Sequence, residues 1–267
     1  METVLSIDKV VVQFGGVVAV AGVSFAVGRG ELVGLIGPNG AGKTTLLHCV
    51  IGTLRPDAGR IILEGREVTK LNPDRRARRG LALTHQIVKP FRSMSVIDNV
   101  TLAAGYGKTA SVLRAVRSVS RDKERRRAAE LLDLVGIADF ADASPSTLPL
   151  GALKRLEVAR ALAIRPRVLL LDEPLAGLNT IEAGRLADTL RDLNAGGTTM
   201  ILIEHNLGKV AEICERVVVL DNGEKIAEGP TRETLADPAV VAAYIGKEAA
   251  AKEPGAGEAG AGEAARA

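Results

Sequence analysis

Apolar and polar positions fall into two regimes along this chain. Predominantly apolar runs stand at residues 31–36, 80–84, 168–171, 199–203 and 216–220, separated by longer stretches with helical spacing. A short aliphatic run without a polar face fits a parallel strand covered on both sides. Residues 45–51, 128–135 and 153–162 read as helices, and residues 231–245 as a helical region. Residues 1–35 and 55–70 carry β-type runs broken by turns such as Asp57-Ala58-Gly59 and Glu64-Gly65, which predicts an antiparallel lobe. The alternation of strand and helix elsewhere predicts an α/β fold around a central, mostly parallel sheet.

Between the first aliphatic run and its helix lies Gly37-Pro38-Asn39-Gly40-Ala41-Gly42-Lys43-Thr44, which meets G-x-x-x-x-G-K-[ST] at every fixed position. Three glycines let the backbone curl so that successive N–H groups face a phosphate chain. Lys43 is placed to reach the β- and γ-phosphates, and the Thr44 hydroxyl to ligate Mg²⁺. The helix opening near Thr45 adds its positive N-terminal end. Residues 37–45 therefore read as a site for ATP with Mg²⁺, in a P-loop NTPase fold. Asp172 ends the run 168–171, where α/β sheets bind ligands, and is placed to hold Mg²⁺. Glu173 follows where a base can polarise the water attacking the γ-phosphate.

Further residues appear in a telling order. Gln86 follows the run 80–84, Leu148-Pro149-Leu150-Gly151-Ala152 precedes the helix 153–162, and His205 ends the run 199–203. This order of phosphate loop, glutamine, signature helix, acidic strand and histidine resembles the ATP-binding cassette ATPases over residues 4–246. Phe14-Gly15-Gly16, residues 92–100, Glu173-Pro174-Leu175-Ala176-Gly177-Leu178-Asn179, Ile203-Glu204-His205-Asn206 and the ending from Asp237 narrow the match. They look like the ATPase subunits of bacterial branched-chain amino acid importers.

The resemblance implies that Phe14 stacks on adenine, that Gln86 senses the γ-phosphate through Mg²⁺ and water, and that His205 touches the γ-phosphate and holds Glu173. Gly177 and Asn179 would lie in the loop that crosses to a second ATPase. It also implies two such ATPases clamped head to tail beneath a membrane permease, with a periplasmic binding protein delivering the solute. The permease would dock on a helical lobe at about residues 91–157, which also carries the signature.

One segment departs from the family pattern. Where the signature is usually Leu-Ser-Gly-Gly-Gln, Pro149 replaces the serine, Leu150 the first glycine and Ala152 the glutamine. Proline offers neither hydroxyl nor N–H, so Gly151 and the start of the following helix remain as donors to a partner's γ-phosphate. An asymmetric heterodimer is the expectation, in which this chain's phosphate loop works with a partner's intact signature.

Composition narrows the field only slightly. The chain has 267 residues with 25% charged and 46% hydrophobic, ordinary for a globular protein. No apolar run reaches the length of a membrane span and the start lacks a signal-peptide pattern, so a cytoplasmic protein, peripheral on the inner face of the cell membrane, is expected. Cys49 and Cys214 have no metal or redox spacing and are expected to be buried thiols. The net charge of +3 and an aromatic content of 2% argue against a nucleic-acid partner. The basic clusters 75–79 and 125–127 read as solvated helix faces, with contact to lipid head groups under a permease as the remaining possibility.

The expected organisation is an ATPase domain at 1–246, with a helical subdomain at about 91–157 and a C-terminal helical region at 231–246. An Ala/Gly/Glu-rich, disordered tail at 247–267 follows. The ATPase of a lipid or lipopolysaccharide exporter, a soluble cassette ATPase and an idle regulatory module stay open as alternatives, and no motif names a solute.

Overall fold

The computed structural model describes residues 2–84, 89–106 and 121–252, with side chains as far as residue 245. β1 (Thr3–Phe14) and β2 (Val17–Gly28) form an antiparallel hairpin, and β3 (Leu32–Ile36) leads from it into α1 (Lys43–Ile51). β4 (Ala58–Leu63) and β5 (Arg66–Glu67) complete a four-stranded antiparallel sheet in the order β2-β1-β4-β5. After α2 (Pro73–Arg78) and β6 (Leu81–Thr84) come the helices α3 (Val96–Ala104), α4 (Asp122–Leu134) and α5 (Leu150–Ala163). β7 (Val168–Asp172), α6 (Thr180–Ala195), β8 (Met200–Ile203), α7 (Leu207–Ile213) and β9 (Arg216–Asp221) return to the central sheet. β10 (Glu224–Pro230), α8 (Thr231–Leu235) and α9 (Pro238–Lys252) close the chain.

The central sheet has the order β10-β9-β3-β8-β7-β6. Every pairing from β9 to β6 is parallel, and β10 joins as an antiparallel edge. Successive side chains in a strand point to opposite faces, so each aliphatic run feeds two cores. Leu169, Leu171, Met200, Leu202, Val217 and Val219 pack toward the helical layer of α3 to α6. Leu170, Ile201, Ile203, Val218 and Leu220 pack toward α1 and the antiparallel sheet. Burial on both faces is why these strands show no polar alternation. Arg216 ties the two sheets together, donating to Glu31 Oε1 at 2.5 Å and to the Ala26 carbonyl at 2.6 Å.

Helix starts follow local chemistry. Ser95 Oγ accepts from Asp98 N at α3, and Asn179 and Glu182 form a reciprocal capping box at α6. α5 begins at Pro149 without a side-chain cap.

Two expectations need correcting. Arg76 is not on a solvated face: it is 1% exposed, and its guanidinium donates to the carbonyls of Leu71, Val50, Thr69 and Cys49. Those acceptors include the last carbonyls of α1, which no intrahelical N–H reaches. At the other end of the chain, α9 runs to Lys252, past the boundary expected at residue 247. Ala, Glu and Lys favour helix intrinsically, and a composition that lacks core formers need not stop one. Cys49 and Cys214 are both buried and free; burial pushes the Cys49 thiol up to about 11 and the Cys214 thiol higher still.

Candidate functional site

The candidate site lies where the parallel strands end. β3 leaves the sheet at Ile36, and residues 37–42 form a loop that closes on α1. Gly37 has φ 144°, and a Cβ there would fall 2.0 Å from the Leu220 carbonyl oxygen. Gly42, the N-cap of α1, has φ 96°, and a Cβ would meet the Ala19 carbonyl oxygen at 2.4 Å. Both positions combine left-handed backbone with close neighbours, so only glycine fits. The loop is also braced from outside. Gly223 N, in the β9–β10 turn, donates to the Ala41 carbonyl at 3.2 Å, and Gly223 O accepts from Ala21 N at 2.8 Å.

Within the loop, Ala41 N donates to the Pro38 carbonyl at 3.2 Å. Lys43 is buried, and its ammonium donates to the carbonyls of Gly37 at 2.7 Å and Pro38 at 3.0 Å. The same loop and lysine border a cavity of about 270 Å³, completed by Ala19, residues 39–45, Glu173 and His205. The N-terminal end of α1 and the Lys43 ammonium make the loop side of this cavity an anion site.

The acidic side of the cavity comes from adjacent strands. β7 and β8 pair in register with Asp172 opposite Ile203, which sets the residues just beyond them side by side. Glu173 N donates to the Ile203 carbonyl at 3.0 Å, and Glu173 holds a φ of 48°. Its Oε1 lies 2.5 Å from His205 Nε2. A left-handed conformation at a glutamate is a local strain that the surrounding hydrogen bonds impose.

Two further groups were not foreseen from the sequence. Lys154 of α5 is buried and donates from Nζ to the Glu173 carbonyl at 3.3 Å; burial lowers its ammonium below the usual range. Glu204, directly before His205 in the chain, is buried, and its Oε1 accepts from Leu175 N at 2.8 Å. Burial raises the Glu204 carboxyl above the ordinary range despite that hydrogen bond. Lys154 sits in a helix whose sequence reads as amphipathic, and Glu204 ends an apolar run, so neither stands out by spacing.

The other expected residues take different places. Phe14 ends β1 and is 51% exposed, with Val17 and Val18 also exposed across the hairpin turn, and it does not border the cavity. Gly151 lies in the first turn of α5, where a Cβ would meet Glu182 Oε1 at 2.9 Å. Gln86 is outside the described residues. Asp172 is half-buried at the strand end and Thr44 exposed in the first turn of α1. Among the described residues no group of three or more His, Cys, Asp or Glu side chains could hold a metal. One carboxylate and one hydroxyl are oxygen donors that suit Mg²⁺ when phosphate and water complete the shell. The residues fit that ion.

Phosphate loop, acidic strand and histidine on a parallel sheet define a P-loop ATPase. The chain belongs to the ABC transporter family, whose sequence pattern matches residues 20–176. The branched-chain amino acid transport ATP-binding protein BraF of Pseudomonas aeruginosa is 36% identical over 255 residues, 91% of this chain and 98% of that protein. LivG of Escherichia coli, of the same description, is 37% identical over 257 residues, 92% of this chain and 99% of its own length. The lipopolysaccharide export ATP-binding protein LptB of Acidithiobacillus ferridurans is 38% identical over 231 residues, 86% of this chain and 92% of its own.

Solved structures agree. The ADP conformation of MJ1267, an ATP-binding cassette of an ABC transporter, superposes with a TM-score of 0.81 at 30% identity, covering 92% of this chain and all of its own. This chain is therefore an ABC ATPase. Among its described residues no helix is long and apolar enough to cross a membrane.

Proposed function

We propose that this chain is the ATP-hydrolysing subunit of an importer for branched-chain or related amino acids, working on a separate membrane permease. The observation that carries this reading is the end-to-end likeness to BraF and LivG, over 255 and 257 residues against 231 for LptB. In this reading the chain is peripheral on the inner face of the cell membrane, and a periplasmic binding protein supplies the solute.

The site residues take the following parts. Backbone N–H groups among residues 39–45 and the Lys43 ammonium bind the phosphates of ATP, and Phe14 offers its exposed ring to the adenine. Thr44 and Asp172 would hold Mg²⁺ together with Gln86, and the chemistry that ion supplies is neutralisation of charge on the β- and γ-phosphates. Glu173 accepts hydrogen-bond donation from the attacking water and orients it, while His205 fixes the carboxylate through the 2.5 Å contact. The second ATPase contributes its signature to this γ-phosphate, and the Pro149–Ala152 departure favours a heterodimer over a homodimer.

The test is a pull-down of tagged Glu173→Gln from solubilised native membranes with Mg²⁺ and ATP. A polytopic permease with a second cassette ATPase is the expected catch, and amino acid uptake should fail in cells that carry only the variant. Soluble partners alone, or uptake undiminished for branched-chain amino acids, would overturn the importer reading.

A further inference from the structure

At the opposite end of the central sheet from the phosphate loop lies a groove of about 610 Å³. It forms where three turns meet: the Glu64-Gly65 turn between β4 and β5, the Arg79-Gly80 link between α2 and β6, and residues 164–167 between α5 and β7. Strands β6 and β7 begin here, whereas Asp172 and Glu173 stand at the far end of β7. Among the described residues five guanidiniums line the groove, Arg66, Arg78, Arg79, Arg165 and Arg167, against the single carboxylate of Glu64.

The acids nearby are already engaged. Glu64 is shared by Arg29 at 3.3 Å and Arg167 at 3.6 Å, and Asp74 is held by Arg78 at 3.0 Å. Among the described residues Arg66, Arg79 and Arg165 form no ion pair. Like charges brought together without counter-charges repel one another, and a multiply charged anion relieves that repulsion.

Two backbone features hold the arginines in this arrangement. Arg165 has φ 54°, directly after the C-cap of α5. That left-handed position is normally filled by glycine, and arginine adopts it only against a steric penalty. Gly80, with φ 99°, clears the way for Arg167, whose Cγ would stand 2.5 Å from a Cβ there. The Gly80 carbonyl accepts from Arg167 N at 2.6 Å and Val168 N at 3.0 Å, fixing the turn. A surface whose arginines merely solvate needs neither device.

We propose that this groove is a second anion site that binds a compact, multiply charged phosphate, such as pyrophosphate or a terminal phosphomonoester. Guanidinium forks match phosphate oxygens two at a time, and the volume lies in the range of small-molecule sites. Among the described residues no aromatic side chain lines the groove, so they offer a nucleobase nothing to stack on. The phosphate is either a free solute or the headgroup of an anionic lipid, two sources with the same chemistry.

The test titrates inorganic pyrophosphate calorimetrically into the full chain carrying Lys43→Ala, which blunts the phosphate loop, with and without Arg165→Gly. Glycine suits φ 54°, so this variant should melt no lower than its parent. One saturable event is expected, weakened roughly tenfold by Arg165→Gly and similarly by Arg66→Ala. A parallel arm sediments the same proteins with phosphatidylcholine vesicles, with or without phosphatidic acid. Pyrophosphate binding that depends on Arg165 establishes a free anion as the ligand. Capture by phosphatidic acid alone, lost in Arg165→Gly, assigns the site to a lipid headgroup. Equal behaviour of parent and Arg165→Gly, or no binding in either arm, overturns the proposal.

Discussion

His205 Nε2 stands 2.5 Å from Glu173 Oε1, and the two residues extend from the ends of neighbouring parallel strands. Both residues border the cavity that the phosphate loop lines. Glu173→Gln keeps the shape and loses the basic oxygen. It should bind ATP with near-parental affinity while kcat falls about 100-fold or more. His205→Ala should lower kcat by less, since Lys154 still holds the Glu173 backbone. Steady-state ATPase assays beside nucleotide-binding titrations separate the two, and near-normal turnover in Glu173→Gln would remove it from the role of base.

Glu204 gives the fold a pH dependence whose sign can be worked out. Its carboxyl is raised by burial from an ordinary value near 4.5, so the folded chain holds this proton more tightly than the unfolded chain. Stability from this residue is therefore greatest at low pH and declines as pH rises from about 4.5 through the raised value. Glu204→Gln keeps an acceptor for Leu175 N and removes the charge. Thermal melts should show the variant level with the parent near about pH 4 and more stable at about pH 7.5. A variant less stable at the higher pH would show that the charged form is the favoured one.

The phosphate-loop glycines are unequal. Gly40 has φ 79° with nothing within 4 Å of a Cβ, whereas a Cβ at Gly37 would lie 2.0 Å from the Leu220 carbonyl oxygen. Gly40→Ala should lose only the left-handed penalty of about 1–2 kcal/mol. Gly37→Ala must displace β9 or the loop, so it should melt far lower and fail to bind ATP. Calorimetric melts of the pair decide this, and equal losses would contradict the packing at Leu220.

Pro149 starts α5 with φ −63° and ψ 157°, a conformation that serine adopts readily, and no side chain caps the helix. Pro149→Ser supplies the missing cap and should stabilise the chain by about 1 kcal/mol. If the segment meets a partner's γ-phosphate, the same change should raise turnover at the partner's site in a reconstituted pair. Higher stability without any gain in turnover would separate the capping role from the catalytic one.

Much of the fold was legible because burial on both faces leaves the parallel strands no choice but aliphatic residues, as at 168–171 and 217–220. The phosphate loop was legible because curled backbone and a short reach to phosphate demand glycine, lysine and threonine at fixed spacing. Lys154, Arg76 and Glu204 escaped notice for a common reason. A buried charge is satisfied by groups distant in sequence, and local pattern records the charge without its partners. Arg76 has the same neighbours as Arg75 and Arg78, yet only its position faces the carbonyls of Cys49 and Val50. The approach of Gly223 to Ala41 is likewise a long-range contact that a turn sequence alone does not announce.

The grip of Arg76 on α1 makes a lever of that helix. α1 has nine residues, about 14 Å of hydrogen-bonded rod, with the phosphate loop at one tip and the Arg76 guanidinium at the other. Two of the four carbonyls that hold Arg76, those of Cys49 and Val50, belong to α1, so the guanidinium joins α2 directly to the last turn of that helix. Displacement of α2 tilts the whole rod. The phosphate loop, pinned by Gly223 on its other side, is then the part that must flex.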